Sequence, residues 1–285
     1  MRGTLRPAPV AALLAVLLVA AGCGPSAASR LFARAAGEAA AGRGSEAARL
    51  YREALGRDPD HVAARFNLAV ILQDAGEADA AAAEYLRLLE AHPRHAPSLV
   101  NLAAIEDRRG RPDAARDLLL RAVEADPTSA FSHAALGLSE ERRGRTAEAI
   151  ERYRLGIARE PEAPLAHYRL GSLLLRLGRR DEALAALKSA ADADPGHPDY
   201  EEAYARALLA AGRAPEAAQA CERGLARAPQ DQPLLRLGAR AYVAAGNDRS
   251  ALVLLLRAES LAPADAGIRA ELRGAAERLQ RALER

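Results

Sequence analysis

The chain has 285 residues, of which 50% are hydrophobic but only 4% aromatic, which fits a core of helices packed through small side chains. Its 40 basic residues stand against 38 acidic ones, and a surface so balanced gives no general attraction to nucleic acid.

Taken in order, the chain opens with a targeting segment over residues 1–22. Arg2 and Arg6 give it a positive start, and Val10 to Ala21 form an apolar run too short to span a bilayer, which takes about 20 helical residues. The run ends in Val-Ala-Ala-Gly-Cys at Val19 to Cys23. These residues resemble a bacterial lipoprotein signal. The resemblance implies that 1–22 are removed and that Cys23 becomes the lipid-bearing N-terminus; an ordinary cleaved signal with an incidental cysteine is the alternative. Loss of Arg2 and Arg6 leaves 38 basic residues against 38 acidic ones. Gly24 rather than an aspartate comes after the cysteine, which implies release to the outer membrane, facing the periplasm. Residues 23–27 are then the lipidated cysteine and a tether reaching about 14 Å at most, so the folded part of the chain starts at the membrane face.

From residue 28 the chain repeats. Prolines recur every 34 residues at 59, 93, 127, 161, 195, 229 and 263; glycines recur in the same step at 42, 76, 110, 144, 178, 212 and 246. Alanines do so at 47, 81, 115, 149, 183, 217 and 251. Between Ala130 and Ala163 the pattern divides at Gly144. Phe131, Ala134, Leu136 and Leu138 mark one helix; Ala149, Ile150, Tyr153 and Ile157 mark another, which Pro161 ends. Ala149 and Gly156 are small enough to let the two backbones approach. A single such pair has too little core to stand alone, and a fixed period of this length means stacked units. The units run 28–61, 62–95, 96–129, 130–163, 164–197, 198–231 and 232–265. Residues 266–285 form one more helix with a stripe of Ile268, Leu272, Ala275, Leu279 and Leu283, suited to covering the last open face.

The pattern resembles the tetratricopeptide repeat. Its signature alanine, aromatic and proline recur as Ala47, Tyr51, Pro59; Ala81, Tyr85, Pro93; and Ala149, Tyr153, Pro161. Its Leu-Gly pair recurs at Leu136-Gly137 and Leu170-Gly171. The chain departs where the family carries tryptophan, having none, and at the end units, where Arg34 and Gly238 replace a leucine. The resemblance implies an all-α fold, a right-handed α-solenoid of seven helix hairpins plus a C-terminal capping helix.

No catalytic set is legible. His92 and His95 flank a turn proline with no acidic or thiol ligand at metal spacing. His133 and His167 occupy the tryptophan position and are expected to pack. Gly42-Arg-Gly44 lacks the strand and lysine of a phosphate loop. Cys221 is expected to be a buried small hydrophobe, with no internal disulfide. No metal, cofactor or small-molecule substrate is implied, and the chain is not read as an enzyme.

The resemblance places partner contacts on the first helix of each hairpin, along a concave groove. Phe32 and Phe66 fall there at the fifth position, as does Tyr168; Phe131 and Leu165 fall at the second. Val70 and Leu138 line the same face. Large rings left on such a face are anchors for a partner's side chains, unless they pack between neighbouring helices. Asn67 and Asn101 form two rungs of an asparagine ladder, which in the family holds a peptide backbone. Arg108, Arg142 and Arg176 recur along the groove, with Arg206, Arg236 and Arg240 towards the C-terminus. A guanidinium row is able to clamp carboxylates, unless Asp107, Glu141 and Glu202 neutralise it. The family's carboxylate clamp is ruled out by Phe66 and Val70, which stand where lysine and asparagine are required.

The sequence thus points to a membrane-anchored, non-catalytic scaffold or adaptor in a bacterial cell envelope, binding other envelope proteins through the groove and the membrane through Cys23. Bacterial lipoproteins of this build serve pilus, secretin, export or cell-wall machinery. A self-associating assembly factor is the alternative. No contact with nucleic acid is implied.

Overall fold

The computed structural model describes residues 26–284. The leader and Cys23 lie outside the described residues. Among the described residues all regular structure is helical, and the chain forms two compact units that divide between Pro127 and Thr128.

The first unit contains α1 (Ala27–Ala40), α2 (Gly44–Arg57), α3 (Val62–Asp74), α4 (Ala78–Ala91), α5 (Ala96–Arg108) and α6 (Pro112–Ala125). The second contains α7 (Ala130–Arg142), α8 (Thr146–Arg159), α9 (Pro164–Arg176), α10 (Arg180–Ala193), α11 (Pro198–Ala210), α12 (Ala214–Arg227), α13 (Gln232–Ala244), α14 (Asp248–Leu261) and α15 (Ala266–Leu283). Within each unit consecutive helices pair into hairpins, and each hairpin packs on the next. In the second unit the first helices α7, α9, α11 and α13 are also neighbours of one another.

Turn chemistry sets the hairpins. α1 ends with Gly42 at φ 74°, a left-handed conformation that side chains with a Cβ avoid. The Gly42 N–H donates to the Ala39 carbonyl and the Arg43 N–H to that of Glu38, which satisfies carbonyls the helix end leaves open. Gly76 and Glu77 repeat these bonds after α3, to Gln73 and Leu72. Between hairpins the second helix stops and a proline stands at the second residue outward, as Pro161 does after Arg159. At most joints the next first helix starts from a capping side chain, as where Ser129 accepts from the Ser132 N–H and Asp231 from that of Leu234; α9 and α11 have no side-chain cap bond.

The core is made of small residues meeting large ones. The alanines at 47, 81, 115, 149, 183, 217 and 251 are all at most 1% exposed. Tyr153 lies across Gly137, where an added Cβ would stand 2.6 Å from the ring. Leu187 lies across Gly171 in the same way. Gly156 brings α8 close to α7, a Cβ there being 3.2 Å from the Ala130 carbonyl. The leucine missing at Gly238 is explained by Leu254, whose side chain fills its place beside Cys221. Cys221 is fully buried, and burial pushes its thiol up to about 12.

One charge lies inside this packing. Glu201 of α11 is fully buried. It accepts two hydrogen bonds from Arg223 of α12, each 2.8 Å, and one from the Gly196 N–H at 3.2 Å. Paired on both oxygens, it ties two helices and a turn without leaving a bare charge.

α15 departs in part from its sequence pattern. Ile268 and Ala275 are buried and Leu272 and Leu279 partly so, but Leu283 is 74% exposed. The apolar stripe meets the fold over the first four of its five positions and then runs past it. Among the described residues no helix is long and apolar enough to cross a membrane, and no three His, Cys, Asp or Glu side chains converge as metal ligands do.

Candidate functional site

The candidate surface is the face formed by the first helices of each unit. In the first unit Phe32, Phe66 and Val70 are partly exposed on it. Neither phenylalanine is a free ring. Phe32 lies 5.8 Å from the Tyr51 ring and 4.9 Å from His61, and Phe66 lies 6.0 Å from Tyr85 and 5.3 Å from His95 (centroid distances). Each is held on one side by the second helix of its own hairpin and on the other by the histidine that starts the next, and each stays partly exposed. Such a ring is pre-ordered, so gripping a partner costs it little further side-chain entropy.

The asparagines do something that sequence reasoning missed. The Asn67 amide donates to the Tyr51 hydroxyl at 3.2 Å, and Asn101 donates to the Tyr85 hydroxyl at 3.0 Å. Asn101 is only 9% exposed, which corrects its assignment as a groove contact; its amide is spent on a buried hydroxyl. The signal was in the sequence. A tyrosine is followed 16 residues later by asparagine in both cases, whereas Leu119, with no hydroxyl to satisfy, is followed by Ala135. Tyr153 breaks the pattern with Arg169, and its hydroxyl instead donates to Glu141 at 2.8 Å. Burial, then the Glu141 carboxylate, holds that phenol well above the ordinary tyrosine value.

In the second unit Phe131, Leu165 and Tyr168 are partly exposed on the first-helix face, while Leu138 is buried at 9% exposure and lines the core rather than the groove. Tyr168 meets Tyr200 at 5.2 Å, and Tyr200 stacks on His197 at 4.0 Å. The Arg169 guanidinium lies over the Tyr168 ring at 5.4 Å.

Four of the six arginines named for the groove are paired with a carboxylate. Arg176 pairs with Glu141 of the preceding first helix. Arg206 pairs with Glu202 at 2.5 Å. Arg236 and Arg240 converge on Glu271 of α15 at 2.9 and 2.8 Å. Arg236 and Arg240 together hold the Glu271 carboxyl below the usual range against the opposing effect of its burial. Arg108, in the first unit, is exposed and donates to the Ala104 carbonyl of its own helix, and Arg142 is exposed. Arg176, Arg236 and Arg240 meet carboxylates of a neighbouring helix, and Arg206 one of its own helix, so these four are occupied rather than free.

Two family models of the tetratricopeptide repeat match the chain, one over residues 38–104 and the other over 134–198 and 172–232, together more than half its length. The chain belongs to the tetratricopeptide repeat family. Members of this family bind other proteins. No curated protein sequence matches the chain. Among solved structures, the Cut9–Hcn1 hetero-tetramer of the APC/C is similar at 15% identity and a TM-score of 0.66, over 85% of this chain and 48% of that one. The chain thus spans about half the length of that structure. PilW, described as a widely conserved type IV pilus biogenesis factor, is similar at 21% identity and a TM-score of 0.60, over 75% of this chain and 97% of that one. PilF of Pseudomonas aeruginosa is similar at 20% identity and a TM-score of 0.62, over 77% and 97%. At these identities the likeness is one of fold.

Proposed function

We propose that this tetratricopeptide repeat protein is a lipid-anchored adaptor of a bacterial cell envelope, outer membrane facing periplasm, that takes a helical or extended segment of another envelope protein on its first-helix face. The proposed organisation is a leader at 1–22, the lipid and tether at 23–27, seven repeats over 28–265 and a cap at 266–285. The observation that carries the binding role is made in each unit by itself: in the first, Phe32 and Phe66 are partly exposed on first helices and each held between two rings, and in the second, Tyr168 is partly exposed against Tyr200 while Arg176 and Arg236 are occupied by carboxylates. The grip is therefore aromatic and apolar, and the partner segment presents apolar side chains to it. The anchoring role is supported by the Val-Ala-Ala-Gly-Cys run, which ends at Cys23, four residues before α1 starts at Ala27. The pilus-biogenesis proteins similar in fold make a pilus-type machine the leading setting.

The test has two arms. Envelope fractions are probed with the chain and with a Phe32→Ala, Phe66→Ala, Tyr168→Ala variant; the variant is expected to recover less of the co-purifying protein. Equal recovery of the same protein overturns the binding face. Separately, Cys23→Ser is expected to abolish incorporation of a fatty-acid label and to leave the protein out of the membrane fraction. A label that persists without Cys23 overturns the anchor.

A further inference from the structure

Three first helices carry an aromatic residue at the fifth position of the repeat, Phe32, Phe66 and Tyr168, and each is followed 29 residues later by a histidine: His61, His95 and His197. Where the fifth position is Val100, Ala134, Glu202 or Arg236, the matching residue is Ser129, Ala163, Asp231 or Asp265. Histidine appears at that joint with the ring and is absent without it.

In the first unit the geometry gives a reason. His61 is the cap of α3. Its Nδ1 accepts the Ala64 N–H at 3.3 Å, while the ring stacks on Phe32 at 4.9 Å with 27° between planes. His95 is the cap of α5. Its Nδ1 accepts the Ser98 N–H at 3.3 Å and lies 2.8 Å from the Ser98 hydroxyl, while the ring meets Phe66 edge-on at 5.3 Å. Each imidazole therefore joins the start of one first helix to the aromatic residue of the one before. A backbone N–H donates only to a nitrogen with a free lone pair, so the His95 bond needs a ring with its proton on Nε2. His197 is different: α11 has no side-chain cap bond, and the His197 Nδ1 is buried without a partner.

We propose that His95 is an acid-sensitive latch on the first-helix face, whose protonation at Nδ1 uncaps α5 and loosens Phe66 against it. Protonation turns an acceptor into a donor that faces another donor. It also places a cation at the positive end of a helix dipole. The charged and titratable groups at these joints are few. Asp58 and Asp60 share the His61 turn, the Arg65 guanidinium reaches the Pro59 carbonyl at 2.5 Å, and Tyr51 backs Phe32. At His95 they are His92 and Arg94 of the same turn, with Tyr85 behind Phe66. Burial, and then His92, hold the His95 imidazole below the ordinary histidine value. A depressed base of this kind lends stability above its unfolded value of about 6.5 and loses it as pH falls through the folded one. The latch belongs to a hairpin joint of the first unit and stands whichever partner the ring holds.

The experiment is nitrogen-detected NMR of the purified chain, with thermal unfolding at about pH 7.5 and about pH 5. At the higher pH the His95 imidazole is expected as the Nε2–H tautomer, and the Ser98 amide signal is expected to move with the His95 titration. A His95→Asn variant keeps a capping acceptor that does not titrate. The unaltered chain is expected to lose more Tm on acidification than the variant. An Nδ1–H tautomer, a Ser98 amide indifferent to the titration, or an equal loss of Tm in both proteins overturns the proposal. Should the variant not fold, the NMR of the unaltered chain decides the question by the same outcomes.

Discussion

Asn101 donates its side-chain amide to the Tyr85 hydroxyl across 3.0 Å, at the joint between the second and third hairpins of the first unit. Asn67 and Tyr51 form the equivalent bond one repeat earlier. Tyr85 is fully buried and burial holds its phenol far above the ordinary tyrosine value, so this hydroxyl has no route to water and depends on its protein partner. Asn101→Ala is expected to cost about 1–3 kcal/mol, the desolvation penalty of an orphaned hydroxyl. Adding Tyr85→Phe is expected to restore part of that loss. Urea unfolding of both single variants and the double one measures the coupling; purely additive losses would refute the tie.

Arg223 is half-exposed, but its partner Glu201 is not. Arg223→Ala leaves a carboxylate inside the second unit with only the Gly196 N–H for company. The expected loss is about 3 kcal/mol, within the range for breaking a buried pair. Denaturant unfolding checks it, and a loss below that of an exposed pair would show that water reaches Glu201.

Two glycines in helix interiors are expected to respond in opposite ways to alanine. At Gly171 a Cβ would stand 2.6 Å from Leu187 Cγ and 3.0 Å from its backbone nitrogen, so Gly171→Ala is expected to destabilise by about 1–3 kcal/mol. At Gly37 nothing lies within 4 Å, so Gly37→Ala is expected to gain up to about 1 kcal/mol from helix propensity. Calorimetric Tm shifts of opposite sign are the result to look for.

Cys221 should be chemically silent. Its thiol is buried between α12 and its neighbours and pushed up to about 12, so almost no thiolate exists at about pH 8. Iodoacetamide is expected to leave Cys221 unmodified in the folded chain and to label it fully after denaturation. Mass spectrometry of the peptide containing it decides the matter, and rapid native labelling would mean that the second unit opens locally.

The backbone was legible because its determinants are local and recur. A positive-φ glycine, a helix-stopping proline and a small residue facing a large one each act within a few residues, and the 34-residue step multiplies each signal seven times. The rings at Phe32, Phe66 and Tyr168 were legible for the same reason, as fixed positions on a periodic helix. The sequence placed Arg176, Arg206, Arg236 and Arg240 on one face just as firmly, but their partners were a different question.

Whether a side chain on that face is free depends on distances between helices that the chain brings together from far apart. Arg176 meets Glu141 across 35 residues, and Arg240 meets Glu271 across 31. Several carboxylates compete for each guanidinium in the sequence, and only the stacking of one hairpin on the next selects among them. Position along the period fixes where a group points, since helix geometry alone sets that direction. Packing decides what the group touches, and packing turned two rungs of an asparagine ladder into tyrosine locks and left Phe32, Phe66 and Tyr168 partly exposed.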